Sequence, residues 1–230
     1  MTTLSKIGVA GASSGAGLAA LGAYKFGSSE ELKTISSLLS SKNKDKRKLV
    51  KSTDGAEDSW KKAWKAYREN FNSTGKDPFS LSLIKRTSPV NLDNATQAFM
   101  GACETQETKK VKDSKSEDYQ LFLQYCTRDT LMSDLVKESG RKALVKSNTE
   151  SSDAKWVKVW DEYKKYNTVK TAQSDHWKLD DWDNKNSSST VPVSFMNKCD
   201  SELNRVYYDA NGDDFKKVMG WCTEELSMQV

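Results

Sequence analysis

The rare residues of this chain recur at one fixed spacing of 96 positions. Trp60, Trp64 and Tyr67 return as Trp156, Trp160 and Tyr163; Phe99, Met100 and Cys103 return as Phe195, Met196 and Cys199; Cys126-Thr127 returns as Cys222-Thr223. An ungapped match carried by Trp and Cys marks a tandem duplication, because these residues build cores and staples and seldom coincide by accident. The expected fold is all-α: an N-terminal membrane segment followed by two tandem homologous helical modules. The expected boundaries are an N-terminal hydrophobic anchor or signal segment at 1–27, a helix and basic tether at 28–54, module one at 55–134, a connector at 135–150, and module two at 151–230.

Each module reads as three helices. Trp60, Trp64, Tyr67 and Phe71 fall at i, i+4, i+7 and i+11, a single stripe, so Glu57 to Asn72 is expected to be a helix with its aromatic face in a core. Trp156, Trp160 and Tyr163 repeat the stripe over Asp153 to Val169. At this spacing an aromatic stripe is a core far more often than a stacking platform for sugars or bases. Asn94–Glu107 with Glu117–Glu138, and Val193–Tyr208 with Asp213–Met228, supply the remaining helices. Between them lie Asp-rich turns, Asp113–Asp118 and Asp209–Asp214. The middle regions Pro78–Ile84 and His176–Trp182 share only Leu83 and Leu179 at the common spacing. They are the most divergent part of the repeat, and divergent loops on a shared scaffold are where binding differences reside.

Cys103 and Cys126 are 23 residues apart, as are Cys199 and Cys222, and each pair is centred on its turn. In an antiparallel helical hairpin, residues equidistant from the turn face each other. Each pair is therefore expected to form a cross-hairpin disulfide, closing a loop worth about 3 kcal/mol. Buried thiols are the alternative; zinc is disfavoured, because the pairs lack close ligand spacing.

Ile7 to Tyr24 is free of charge over 18 residues, flanked by Lys6 and Lys25, and reaches the lower limit of a membrane span. It reads as an anchor or as a cleavable leader. Gly11-Ala-Ser-Ser-Gly15-Ala-Gly17 has only a superficial likeness to a dinucleotide loop, since no strand precedes it and no βαβ unit follows. Charge excludes another class. Residues 1–54 carry nine basic and four acidic groups, module one twelve of each, and module two eleven basic against fourteen acidic. The basic excess lies in the N-terminal portion rather than in the modules, so nucleic acid is not an expected partner.

No catalytic, cofactor-binding or metal-binding constellation emerges. His176, the one histidine, has Ser80 as its counterpart and no repeated nucleophile or acid. The acidic run Asp175, Asp180, Asp181 and Asp183 reads as a solvated loop rather than a cation site.

The start Met1–Ser5, Lys6, the Gly/Ala-rich segment to Tyr24, the Lys-rich linker, the W-x-x-x-W helices and the late Trp221-Cys222 resemble the expanded paralogous families of uncharacterised proteins in haemotropic mycoplasmas. That resemblance implies a membrane-anchored or exported protein exposed to a host, with no catalytic residues to carry over. The function expected is non-enzymatic: a surface protein serving as a binding or antigenic display scaffold, membrane-attached through its N-terminal segment, with its modules outside the cytoplasm and a protein or host-surface partner. An intracellular membrane-associated scaffold is the alternative.

Overall fold

The computed structural model describes residues 31–85 and 89–224. Nine helices and six short strands occupy the described residues, so the fold is largely helical. The membrane segment read at Ile7 to Tyr24 lies outside them; no described helix is long and apolar enough to cross a membrane.

The first core is assembled on α2 (Asp58–Phe71), whose stripe buries Trp60, Trp64 and Tyr67 while its lysines stay outside. Burying an indole leaves its N–H in need of an acceptor, and Trp60 Nε1 donates to Val50 O at 2.8 Å. Helix α3 (Gln97–Thr108) starts at Thr96, whose Oγ1 accepts the Phe99 N–H, and contributes Phe99, Met100 and Cys103. Helix α4 (Glu117–Tyr125) adds Tyr119, Phe122 and Tyr125.

The segment read as a helix and basic tether is part of this core. Thr34 caps α1 (Ile35–Lys42), which buries Ile35, Leu38 and Leu39 in the same cluster. The lysine-rich run then enters β2 (Lys46–Lys48), pairing antiparallel with β4 (Thr127–Asp129). Strand β1 (Lys33–Thr34) pairs with β3 (Lys110–Val111) at the other end of α1.

The single helix expected over Glu117–Glu138 is interrupted. After Tyr125 the chain leaves helical geometry at Cys126, whose carbonyl accepts from Leu49 N at 2.9 Å. Thr127 Oγ1 turns back onto Leu123 O at 2.6 Å, a side-chain bond that competes with helix continuation. The helix resumes only as α5 (Met132–Glu138). Its start is fixed by Asp134, which accepts Leu131 N at 2.8 Å and the two Arg128 guanidinium nitrogens at 2.6 and 2.8 Å.

The second core repeats this plan. Helix α5, within the segment read partly as connector, buries Met132, Leu135 and Val136. Strand β5 (Lys142–Ala143) pairs with β6 (Thr223–Glu224), and Leu144 N donates to Cys222 O at 2.9 Å, as Leu49 N does to Cys126 O. Asp153 caps α6 (Ala154–Tyr166), which buries Trp156, Val159, Trp160 and Tyr163; Trp156 Nε1 reaches Val145 O at 2.9 Å. Helices α8 (Val193–Leu203) and α9 (Asp213–Trp221) close the core, and a short α7 (Trp182–Lys185) lies between α6 and α8. A Leu131–Val206 bridge stands where β1 and β3 pair in the first half. Helix α9 stops at Trp221 for the same reason that α4 stops at Tyr125: the chain turns out to pair as a strand.

Each core carries one disulfide between its last two long helices. Cys103–Cys126 and Cys199–Cys222 each hold their Cα atoms 5.4 Å apart. The halves touch through 45–47 and 130–138. Asp129 closes the first, Thr130 is fully buried at the seam with its N–H on Asp45 O, and Arg47 Nε pairs with Glu138 at 2.9 Å.

Gly55 is required before α2. It sits at φ +63°, and a Cβ there would lie 2.2 Å from Ala95 O. Gly55→Ala is expected to cost about 2 kcal/mol or more, combining left-handed strain with displacement of the Ala95 backbone. Urea denaturation checks this; an unchanged midpoint would contradict it.

Candidate binding site

The loops after α2 and α6, read from sequence as the most divergent segments, share an internal anchor. Tyr67 Oη donates to Asp77 Oδ1 at 2.7 Å and accepts Phe79 N at 2.9 Å. Tyr163 Oη donates to Asp175 and accepts Trp177 N at 3.0 Å, while Leu179 N reaches the same carboxylate at 3.1 Å. Ser80 and Lys178 take positive φ at corresponding places, 55° and 52°. The motif is Asp77-Pro-Phe-Ser-Leu81 against Asp175-His-Trp-Lys-Leu179, spaced by 98 residues instead of 96. A two-residue shift hid it from a fixed-spacing comparison; allowing that gap would have revealed the Asp-x-aromatic-x-Leu pattern. Burial, reinforced by the facing carboxylates, pushes both tyrosine hydroxyls well above their usual range, so they remain donors at any physiological pH.

A groove of about 790 Å³ lies on the second half, between α6 and α9. Val159, Tyr166 and Trp221 supply apolar and aromatic surface, and Tyr166 is 57% exposed. Arg141, Lys155, Lys158 and Lys165 make a cationic rim, interrupted by Glu162 and Glu224. Lys155 pairs with Glu224 at 2.9 Å and Lys165 with Glu162 at 2.5 Å. The corresponding groove of the first half is lined by Lys62, Ala63, Ala66 and Thr127, but Leu131, Asn204 and Val206 of the second half wall it as well. The same concavity is thus shared by residues of both halves in one case and lined by the second half alone in the other. An aromatic floor ringed by cations suits a ligand that presents an apolar face and a negative charge.

His176 stands beside this floor, with ring centroids 5.6 Å from Trp221 and 6.0 Å from Tyr166. Its backbone N–H donates to Asn167 Oδ1. Burial and the neighbouring Lys217 lower its pKa against the opposing pull of Asp214, Glu202 and Asp175. A depressed histidine pKa means that the unfolded chain takes up a proton that the folded chain resists. Stability tied to this group is therefore complete at neutral pH and falls as pH drops below about 6.5, the unfolded value. His176→Gln is expected to reduce the difference in melting temperature between pH 7.5 and pH 5; an unchanged difference would contradict the assignment.

The acidic run is dispersed. Asp175 is buried in the tyrosine anchor, and Asp181 accepts Ser194 Oγ at 2.6 Å. Among the described residues no group of three or more His, Cys, Asp or Glu side chains is placed to hold a metal ion. The six aromatics read as core, Trp60, Trp64, Tyr67, Trp156, Trp160 and Tyr163, all lie inside, and all four cysteines are bonded in pairs. No family model, no curated protein and no solved structure matches this chain.

Proposed function

We propose that this chain is a non-enzymatic exported or membrane-anchored surface protein, in which two homologous stapled helical modules act as a scaffold for binding a protein or host-surface partner. The observation that carries the reading is the pair of disulfides, one buried in each core. Crosslinks of this kind persist in oxidising compartments and are rare in the cytosol. Homology of the modules is supported by the matched strand pairs, Trp-to-carbonyl bonds, tyrosine anchors and Cys pairs. The uncharged segment Ile7 to Tyr24 supplies the export signal or anchor. The outer groove at Tyr166 and Trp221 supplies a surface with aromatic and cationic character.

Proteolysis of intact cells tests this reading. Peptides from residues 32–224 are expected to disappear before the cells are lysed. Protection until lysis would overturn the surface assignment and favour an intracellular membrane-associated scaffold.

A further inference from the structure

The lining of the groove between α6 and α9 is not copied from the first half. At the common spacing, Tyr166 and Trp221 stand where the first half has Asn70 and Tyr125. There Asn70 Nδ2 donates to Tyr125 Oη at 2.7 Å. Tyr166 and Trp221 instead cross edge-on at 5.2 Å, with Tyr166 largely exposed. Lys155, Val159 and Lys165 likewise stand where the first half has Ser59, Ala63 and Glu69. One side of α6 thus carries aromatic surface and cations that α2 lacks.

Two donors at this groove lack acceptors among the described residues. Trp60, Trp156, Trp160 and Trp182 each donate Nε1 to a backbone carbonyl. Trp221 lines the groove although only 5% exposed, and its Nε1 makes no such bond. The described side-chain atoms that are both inaccessible and unpaired are Asn72 Oδ1 and Gln106 Oε1, so the Trp221 ring N–H is open to solvent. Arg141 Nε is held by Glu224 O at 3.1 Å, which orients the guanidinium and leaves Nη1 and Nη2 unpaired. Four cations and two carboxylates line the groove, whereas residues 151–230 as a whole carry eleven basic and fourteen acidic groups. A local excess of positive charge selects an acidic partner. Along α6 the lining runs from Lys155 to Tyr166, about 16 Å of helix, the span of about five extended residues.

We infer that this groove receives an extended acidic segment of a partner polypeptide that carries an aromatic side chain. The ring packs against Tyr166, a carboxylate takes the free edge of Arg141, and an acceptor of the segment takes the Trp221 N–H. The inference deepens the proposed binding role and rests on it for the existence of a protein partner; occupancy of the groove is measurable on the isolated full chain whatever its cellular location.

The test is NMR titration of the full chain, observing the Trp221 indole N–H, with the peptide acetyl-Glu-Asp-Phe-Asp-Glu-amide as probe. A saturable shift is expected. The same peptide with Gln and Asn in place of its acids is expected to bind at least about tenfold more weakly, because the charge-assisted bonds to Arg141 are lost. Arg141→Gln is expected to weaken the acidic peptide by about the same factor and to leave the amide peptide unchanged. Tyr166→Ala is expected to weaken the acidic peptide but not its counterpart with Ala in place of Phe. Absence of a saturable shift, equal affinity for the acidic and amide peptides, or an Arg141→Gln effect equal on both would each overturn the inference. Saturation by a sulfated oligosaccharide with the peptide inert would overturn it in favour of a glycan partner. Protection of residues 32–224 on intact cells with retained peptide binding would overturn only the proposed location.

Discussion

Replacing both Cys199 and Cys222 by alanine is expected to lower the stability of the second half by about 3 kcal/mol, the entropy cost of releasing a loop of this length in the unfolded chain. Both side chains are essentially inaccessible, at 1% and 0% exposure, and they join the two helices that close the core over Trp160. The loss is a large share of the roughly 5–15 kcal/mol that holds a small domain together. Cys103→Ala with Cys126→Ala is expected to act with similar size on the first half, because its loop and Cα separation are the same, 23 residues and 5.4 Å. Urea denaturation of the two double variants measures both effects. A loss well below 1 kcal/mol in each would mean that the crosslinks contribute little to stability.

Trp160→Ala is expected to cost about 4 kcal/mol, within the range for deleting a buried indole. Trp160 is fully buried between Tyr163, Trp182 and Phe195, at ring distances of 5.7, 5.8 and 4.9 Å, and its Nε1 donates to Ser188 O. Its removal leaves a void walled on every side. Trp64→Ala is expected to cost about 1–2 kcal/mol less, because Trp64 is covered by the Arg68 side chain, 4.9 Å over its ring, which can move into the void. Comparing the two variants by chemical denaturation tests whether the halves differ in packing as described. An equal or larger loss at Trp64 would contradict it.

What the sequence disclosed was governed by local periodicity. Trp60, Trp64 and Tyr67 share a face because a helix repeats every 3.6 residues, and that face turned out to be buried. The hairpin symmetry that pairs Cys103 with Cys126 is likewise local. What stayed hidden depends on contacts distant in sequence. A helix was legible ahead of the lysine run, but Leu38 and Leu39 follow a weakly amphipathic, serine-rich pattern, so nothing local tied that helix, α1, to the first core. It is held by α3 and α4, more than 50 residues away. The end of α4 at Tyr125 is set by pairing of β4 with β2, a partner that no periodicity at Glu117–Glu138 reveals. The tyrosine anchors were missed because a two-residue shift displaces Asp175 from the common spacing. Asn72 Oδ1, buried and without a hydrogen-bond partner, stands at the helix end where Asn167 takes the His176 N–H, and the residue in register with His176 is Pro78, which has no N–H to give.

Peptide mapping by mass spectrometry, after alkylation of the protein as isolated and before any reduction, tests whether the two helical cores each carry their own disulfide. The expected result is crosslinked peptides joining Cys103 to Cys126 and Cys199 to Cys222, with no bridge between halves. Four alkylated thiols, or any link between the first pair and the second, would contradict it.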